Sequence, residues 1–272
     1  MAGSKEPIQA IQHVRRMRGG SQSHLFRASD NHFYVVKFQN NPQSTRILAN
    51  EFFGTLLGRL LGLPMPEVRI IEVSEWLITN TPELKIDAGG GISVPCTSGL
   101  QFGSRYVADP LKQAVFDYLP HSMLHRISNL DDFPRVLAFD KWTNNNDGRQ
   151  AVFVKQPKSR LYSAFFIDQG YCFNADQWNF QDSPLRGTYG HNAVYASVKG
   201  WDSFEPALSR IKQIALSDLL NLTAELPATW YGNDLETLSR LTRTLHERRA
   251  LVREFISAFR NSSRKPFPNW TA

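Results

Sequence analysis

Residues 136–170 read VLAFDKWTNNNDGRQAVFVKQPKSRLYSAFFIDQG, and the order of apolar and polar blocks in this stretch decides the fold. A helical pattern holding Val136, Leu137, Asp140 and Lys141 runs into a polar cluster that ends with Asp147. An apolar strand (Ala151 to Val154), a turn (Gln156 to Ser159) and a second apolar strand (Leu161 to Ile167) follow, and the second strand delivers Asp168 just before Gln169-Gly170. Carboxylates at the mouths of a hairpin gain nothing from burial. This placement is how a phosphoryl-transfer site presents a base and a metal ligand.

Upstream, Phe33, Val35 and Lys37 share one face of a strand by its period of two, so Lys37 has little room to reach water. In the next helix Glu51 falls inside the stripe formed by Ile47, Leu48, Phe52, Leu56 and Leu60, where a carboxylate is out of place. An unpaired buried charge is expensive, so these two opposite charges on consecutive elements are expected to meet. Gly19-Gly20-Ser21-Gln22-Ser23 separates strand-like segments at Ile11 to Met17 and His24 to Ala28. Glycine there lets backbone approach phosphate oxygens, to which serine can donate. The chain contains neither GxGxxG nor GxxxxGK[ST], which disfavours a P-loop nucleotidase.

Two registers compete for the base. Asp140 with Asn145 matches a D-x-x-x-x-N spacing, whereas the residue five positions after Asp147 is Val152, which cannot bind metal. Asp147 is preferred because Asp140 belongs to the helical pattern, and an Asp140→Asn change is expected to be mild. Gln150 is then the nearest amide able to replace the asparagine as a metal ligand, while Asn144 and Asn146 read as turn residues.

The remaining pattern is a small strand-rich part before a larger helical one. Asn41-Pro42 reads as the N-cap and first residue of the Glu51 helix, which Gly62 and Pro64 stop. Strands are expected at Val68 to Val73 and Leu100 to Val107, with a glycine loop at Gly89 to Gly91 between them. Asn233 and Glu236 make a capping box for one last long helix, whose stripe runs Leu235, Leu238, Leu241, Leu245, Val252, Phe255, Ile256, Phe259. The expected class is α+β and bilobal, with a β-rich N-lobe at 1–103 and a mainly helical C-lobe at 104–272.

Apolar content of 42% and aromatic content of 12% suffice for a sizeable core. The net charge of +6 favours an anionic ligand. Nucleic acid is disfavoured, because Arg240, Arg243, Arg248, Arg249, Arg253 and Arg260 lie mostly off the last helix's apolar stripe, as a solvated face does. Cys96 and Cys172 are the two cysteines, the N-terminal MAGSKEPIQ has no apolar run, and no stretch approaches the ~18 apolar residues of a spanning helix. A cytoplasmic protein without membrane attachment is expected.

The segments GGSQSHLFRASDNHFYVVKFQNN (19–41), NEFFGTLLGRLLGLP (50–64), QFGSRY (101–106), FDKWTNNNDGRQAVF (139–153) and FFIDQG (165–170) resemble the compact HipA-like kinases, bacterial relatives of the toxin HipA with a protein-kinase-like fold. The resemblance covers about residues 12 to 260. It implies ATP and Mg²⁺ as cofactors and phosphorylation of a serine or threonine. It further implies that Lys37 contacts the phosphates, Glu51 fixes Lys37, Asp147 is the base and Asp168 holds metal. Gln101, Phe102 and Gly103 would form the adenine-side hinge, and Gly19 to Ser23 the phosphate loop, with Ser21 or Ser23 as an autophosphorylated serine. The acceptor is an unidentified protein or small molecule, and any antitoxin-like partner is a separate protein. A small-molecule phosphotransferase of this fold and a nucleotide-binding pseudokinase serving as an interaction module are the alternatives, the second because of Val152.

Overall fold

The protein is described by a computed structural model covering residues 6–271; Met1 to Lys5, part of the N-terminal stretch read above, lie outside the described residues, as does Ala272. The chain order is β1 (Ile8–Arg16), β2 (His24–Ala28), β3 (Phe33–Lys37), α1 (Arg46–Leu60), β4 (Val68–Val73), α2 (Glu75–Thr79), β5 (Lys85–Gly89), β6 (Ile92–Pro95) and β7 (Gly99–Arg105). Then come β8 (Val115–Phe116), α3 (Asp132–Thr143), β9 (Gln150–Lys155), β10 (Tyr162–Ile167), α4 (Ala207–Gln213), α5 (Leu216–Thr223), α6 (Leu235–Arg248) and α7 (Val252–Arg260).

Alternation along the early strands produces a closed barrel, β1-β2-β3-β7-β4, rather than an open meander. A parallel pairing of Ile8 with Ile71 closes it. Phe26, Ala28, Tyr34, Val36 and Phe38 point inward and pack with Ile71 and Val73. By the same period Val35 and Lys37 face the other way. The boundary expected after residue 103 falls inside β7, because the alternating pattern pairs with β3 through Arg105. The chain leaves the barrel at Tyr106–Asp109.

Three sequence expectations are corrected. Asn41 does not cap α1; its Oδ1 accepts from the backbone of Gln43 (3.0 Å) and Ser44 (3.3 Å), closing a turn, and the helix starts after Thr45. Gly89–Gly91 belongs to the tip of the β5–β6 hairpin, whose polar strands carry little alternation to read. The last helix is two. Asp234, not Asn233, caps α6 by accepting from the Thr237 amide, and tight i→i−3 bonds at Ala250 and Leu251 separate α6 from α7. Leu235 is 67% exposed and leaves the stripe, while Leu238, Leu241, Leu245, Val252, Ile256 and Phe259 are buried.

The arginines of these helices are largely used internally, and one of them is not on a solvated face. Arg248 is 5% exposed, ion-paired to Asp182 at 2.7 Å, and lies against the rings of Phe180 and Phe255. Arg249 donates to the carbonyls of Lys212, Ile214 and His246. Arg253 and Arg260 lie over Trp201 and Trp270. Among the described residues no helix is long and apolar enough to cross a membrane.

Candidate active site

Lys37 ends β3 on the face turned toward α1, and the helix presents Glu51 to it. The two side chains form a buried ion pair. Asp168, where β10 ends, completes a triad at 3.0 Å from the Lys37 ammonium. Its backbone is left-handed (φ 63°), which turns the chain sharply so that the Gln169 amide donates to Glu51 at 3.0 Å. Thus residues 37, 51 and 168, far apart in sequence, meet at one point.

The electrostatics follow from two carboxylates sharing one ammonium. Burial disfavours the charged amine, but Asp168 and Glu51 outweigh it and raise the Lys37 pKa above its ordinary value. Burial also pushes Glu51 up, against the attraction of Lys37. Asp168 is pulled down to about 2, because Lys37, hydrogen bonds and the more distant Arg149 overcome its own desolvation. Of the two carboxylates, Asp168 is therefore the one that holds its charge more readily, and its side chain retains 27% exposure.

Behind the triad, Asp140 and Arg149 form a second buried pair, each side chain 0% exposed. Arg149 reaches Asp140 Oδ2 at 2.9 Å, the Ile167 carbonyl at 2.7 Å and Gln169 Oε1 at 2.9 Å. Asn145 donates to Asp140 as well (3.0 Å) and accepts from the Asp147 amide (3.2 Å). Both Asp140 oxygens are thus engaged, and the loop carrying Asp147 is tied to the turn carrying Asp168. The Asp147 side chain is exposed, and the bond it accepts is from its neighbour Gly148 at 2.7 Å. Arg149 was not singled out from sequence. By period two it shares a face with Ala151 and Phe153, but Val152 and Val154 on the other face are buried as well, so the strand pattern alone does not mark it.

Gln150 opens β9 directly opposite Ile167, the residue before Asp168, and is exposed. Val152 pairs with Phe165 and is 7% exposed, so the position of the expected asparagine is apolar and packed.

The glycine-rich turn closes through the Gln22 amide on the Gly19 carbonyl, and Met17 donates to the Ser23 carbonyl. Within it, Gln22 does not face the site. Its left-handed backbone (φ 49°) sends the side chain to the Asp87 backbone of β5, donating to the carbonyl at 2.9 Å and accepting from the amide at 2.7 Å. Ser23 is 5% exposed, whereas Ser21 is half-buried at the tip. Gln101, Phe102 and Gly103 lie inside β7 and do not form the crossing. Gln101 spends its amide on the Gln39 amide and on the Thr97 and Ser98 carbonyls, and Phe102 is a core residue opposite Lys37. The crossing that follows, Tyr106 to Asp109, lines a cavity of about 580 Å³ together with Phe33 and Phe165.

His24, the residue after the loop, is fully buried, shares a 3.1 Å contact with His13 and lies 4.0 Å from Cys96 Sγ. Burial, then the neighbouring His13, depress its pKa to about 4. A base whose folded pKa is lowered contributes stability above its unfolded value near 6.5, and loses it as pH falls toward 4. Urea unfolding is therefore expected to show the wild type losing up to about 3 kcal/mol more than His24→Asn between pH 7 and pH 4. Equal pH slopes in the two proteins would remove this assignment.

The comparisons concern the family and the fold. Residues 8–261 match the family model described as HipA-like kinase. The fold is similar to the crystal structure of a Helicobacter pylori proinflammatory kinase, CtkA, at 14% identity and a TM-score of 0.54, covering 90% of this chain and 99% of that one. It is similar also to the Golgi casein kinase, at 13% identity and TM-score 0.55, covering 95% of this chain and 74% of that one. A second structure of the Golgi casein kinase, with Mn/ADP bound, aligns at 11% identity and TM-score 0.50 over 95% of this chain and 73% of that one. At these identities the likeness concerns the fold, which is protein-kinase-like with mixed α and β content. A comparison with curated proteins returns no match.

Proposed function

Because this chain belongs to the HipA-like kinase family, we propose that it transfers the γ-phosphoryl group of ATP to a serine or threonine hydroxyl in a cleft between two lobes, the barrel and the helical part. The single observation that carries this reading is the meeting of Lys37, Glu51 and Asp168 across β3, α1 and the exit of β10. A buried ammonium held by a glutamate and presented beside a half-buried aspartate matches what nucleotide phosphates and a divalent cation require. Tyr106 to Asp109, which follow β7, are the proposed adenine-side segment rather than Gln101–Gly103, which lie inside that strand.

Mg²⁺ fits the residues present. Asp168 offers a hard, ionised oxygen, and Gln150 opens on the same end of the hairpin. Among the described residues no group of three His, Cys, Asp or Glu could hold a metal, which suits an ion bound chiefly by phosphate oxygens and water. When bound, the ion neutralises phosphate charge. The chain's own groups do the rest. Lys37 binds phosphate oxygens and Glu51 keeps its amine in place. Asp147, the carboxylate left free of a cation, accepts the proton of the acceptor hydroxyl as that oxygen bonds to the γ-phosphorus and the bond to the ADP oxygen breaks. Asp140 is excluded from that role by its complete pairing with Arg149 and Asn145. Of the two loop serines, Ser21 at the tip is the one open to self-modification.

Incubation of the full chain with γ-labelled ATP and Mg²⁺, followed by phosphosite mapping, tests the reading. Labelled protein, or label on an added Ser/Thr peptide, supports it; nucleotide binding without transfer in any acceptor screen would assign the chain to the pseudokinases. Gln150→Ala is expected to raise the Mg²⁺ concentration for half-maximal transfer about threefold or more, as loss of one weak oxygen ligand does. A Mg²⁺ titration that superimposes on the wild type would remove Gln150 from the site.

A further inference from the structure

The segment after Asp168 is held from two sides: the Phe173 and Asn174 amides donate to the Thr143 and Asn144 carbonyls at the end of α3 (2.7 and 3.2 Å), and α1 supplies buried side chains to its carbonyls. Phe173, Asn174 and Ala175 are successively left-handed (φ 61°, 61° and 56°), a conformation costly for side-chain-bearing residues and kept only where the surroundings impose it. On the α1 side the side chain that bonds most of the segment's carbonyls is Asn50, fully buried beside Glu51. Its Nδ2 donates to the carbonyls of Gly170 (2.7 Å), Cys172 (3.1 Å) and Ala175 (2.7 Å), while its Oδ1 accepts from the Trp178 indole at 2.7 Å. One helical turn earlier, Arg46 donates to the Asp176 carbonyl at 2.9 Å and lies 4.8 Å from the centre of the Trp178 ring. At Gly54 a Cβ would stand 2.9 Å from Gln169 Cβ, so helix and segment are packed as closely as glycine permits.

Between Asp168 and Ser183 the sequence has no serine or threonine, and its one hydroxyl, Tyr171, accepts from Gln43 Nε2 at 3.1 Å. Nothing in this stretch offers a serine or threonine to be modified, and permanent side-chain bonds already fix it. We propose that Asn50 is a positioning residue that holds residues 169–178, and through them Asp168, in the arrangement used for transfer, so that no covalent modification of the segment is required. The proposal rests on the phosphoryl-transfer reading given above. Its physical basis is that an amide both donates to carbonyls and accepts from an indole in one small side chain. Aspartate of the same shape has no donor, and alanine leaves four buried partners unmatched. Asn50 and Glu51 are adjacent on one helix, so α1 contacts both the Lys37 pair and the segment.

The test compares the full chain as wild type, phosphatase-treated wild type, Asn50→Asp, Asn50→Ala and the milder Arg46→Met by peptide-resolved hydrogen exchange and steady-state kinetics. Both Asn50 variants are expected to lose protection at 169–178 while the barrel strands keep theirs, and Arg46→Met to lose it only near 175–178. For Asn50→Asp, kcat is expected to fall on the order of ten- to a hundredfold with KM for ATP within about twofold, the signature of a misplaced group rather than lost binding. Phosphatase treatment is expected not to lower kcat. Retained protection in the variants, an exposed segment with wild-type kcat, or loss of activity on dephosphorylation would each overturn the proposal. A wild type that transfers no phosphate would refute the kinase reading instead, and the exchange data would still decide whether Asn50 holds the segment.

Discussion

Asp147→Asn is expected to lower phosphoryl transfer by about 10²- to 10⁴-fold, while the affinity for Mg²⁺-ATP changes by less than about threefold. A base contributes when the acceptor proton is moving, not when nucleotide docks, and among the described residues the Asp147 carboxylate has no ion pair whose loss would disturb the fold. Asp140→Asn serves as the contrast, and its outcome differs from the mild one that the sequence alone suggests. Removing that charge leaves the Arg149 guanidinium buried without its counter-ion, at a cost of about 3–5 kcal/mol in stability. Urea melts and initial rates on both proteins separate the cases. Asp147→Asn should melt like the wild type and transfer almost nothing, and Asp140→Asn should melt early. The reverse pattern would move the base to Asp140.

Lys37→Ala and Asp168→Asn are expected to abolish Mg²⁺-ATP stabilisation in a thermal-shift titration, yet to act oppositely on the empty protein. Without Lys37, Glu51 and Asp168 face each other with no cation between them, and about 3–5 kcal/mol of stability goes, less what protonation of one carboxyl recovers. Without the Asp168 charge, Lys37 and Glu51 remain as a one-to-one pair, so stability should hold or rise while the phosphate and metal contacts disappear. A site that sacrifices stability for ligand charge behaves in this way. Equal destabilisation by both changes, or a full ATP-induced shift in either, would show that the triad is a structural ion cluster.

The pairing of Lys37 with Glu51 was legible in the sequence because each charge stood where periodicity puts apolar groups, and a buried charge must find its opposite. The hairpin that delivers Asp168 was legible for a similar reason: two apolar strands around a polar turn have one way to pair. The same logic applies to Arg149 and Asp140, but the helix and the strand face that bury them could be recognised only once α3 and β9 were packed together. Gln22 and Gln101 show the limit more sharply. Each is a polar side chain in a segment whose local pattern is correct, and each satisfies backbone groups of a neighbour whose position is set by barrel closure or by the β5–β6 hairpin. Asn50 reaches farthest, since its partners lie more than a hundred residues away. Local propensity and hydrophobic period act over a few residues and fix strands, helices and misplaced charges. Which polar group meets which carbonyl depends on how those elements are brought together, and that is decided in three dimensions.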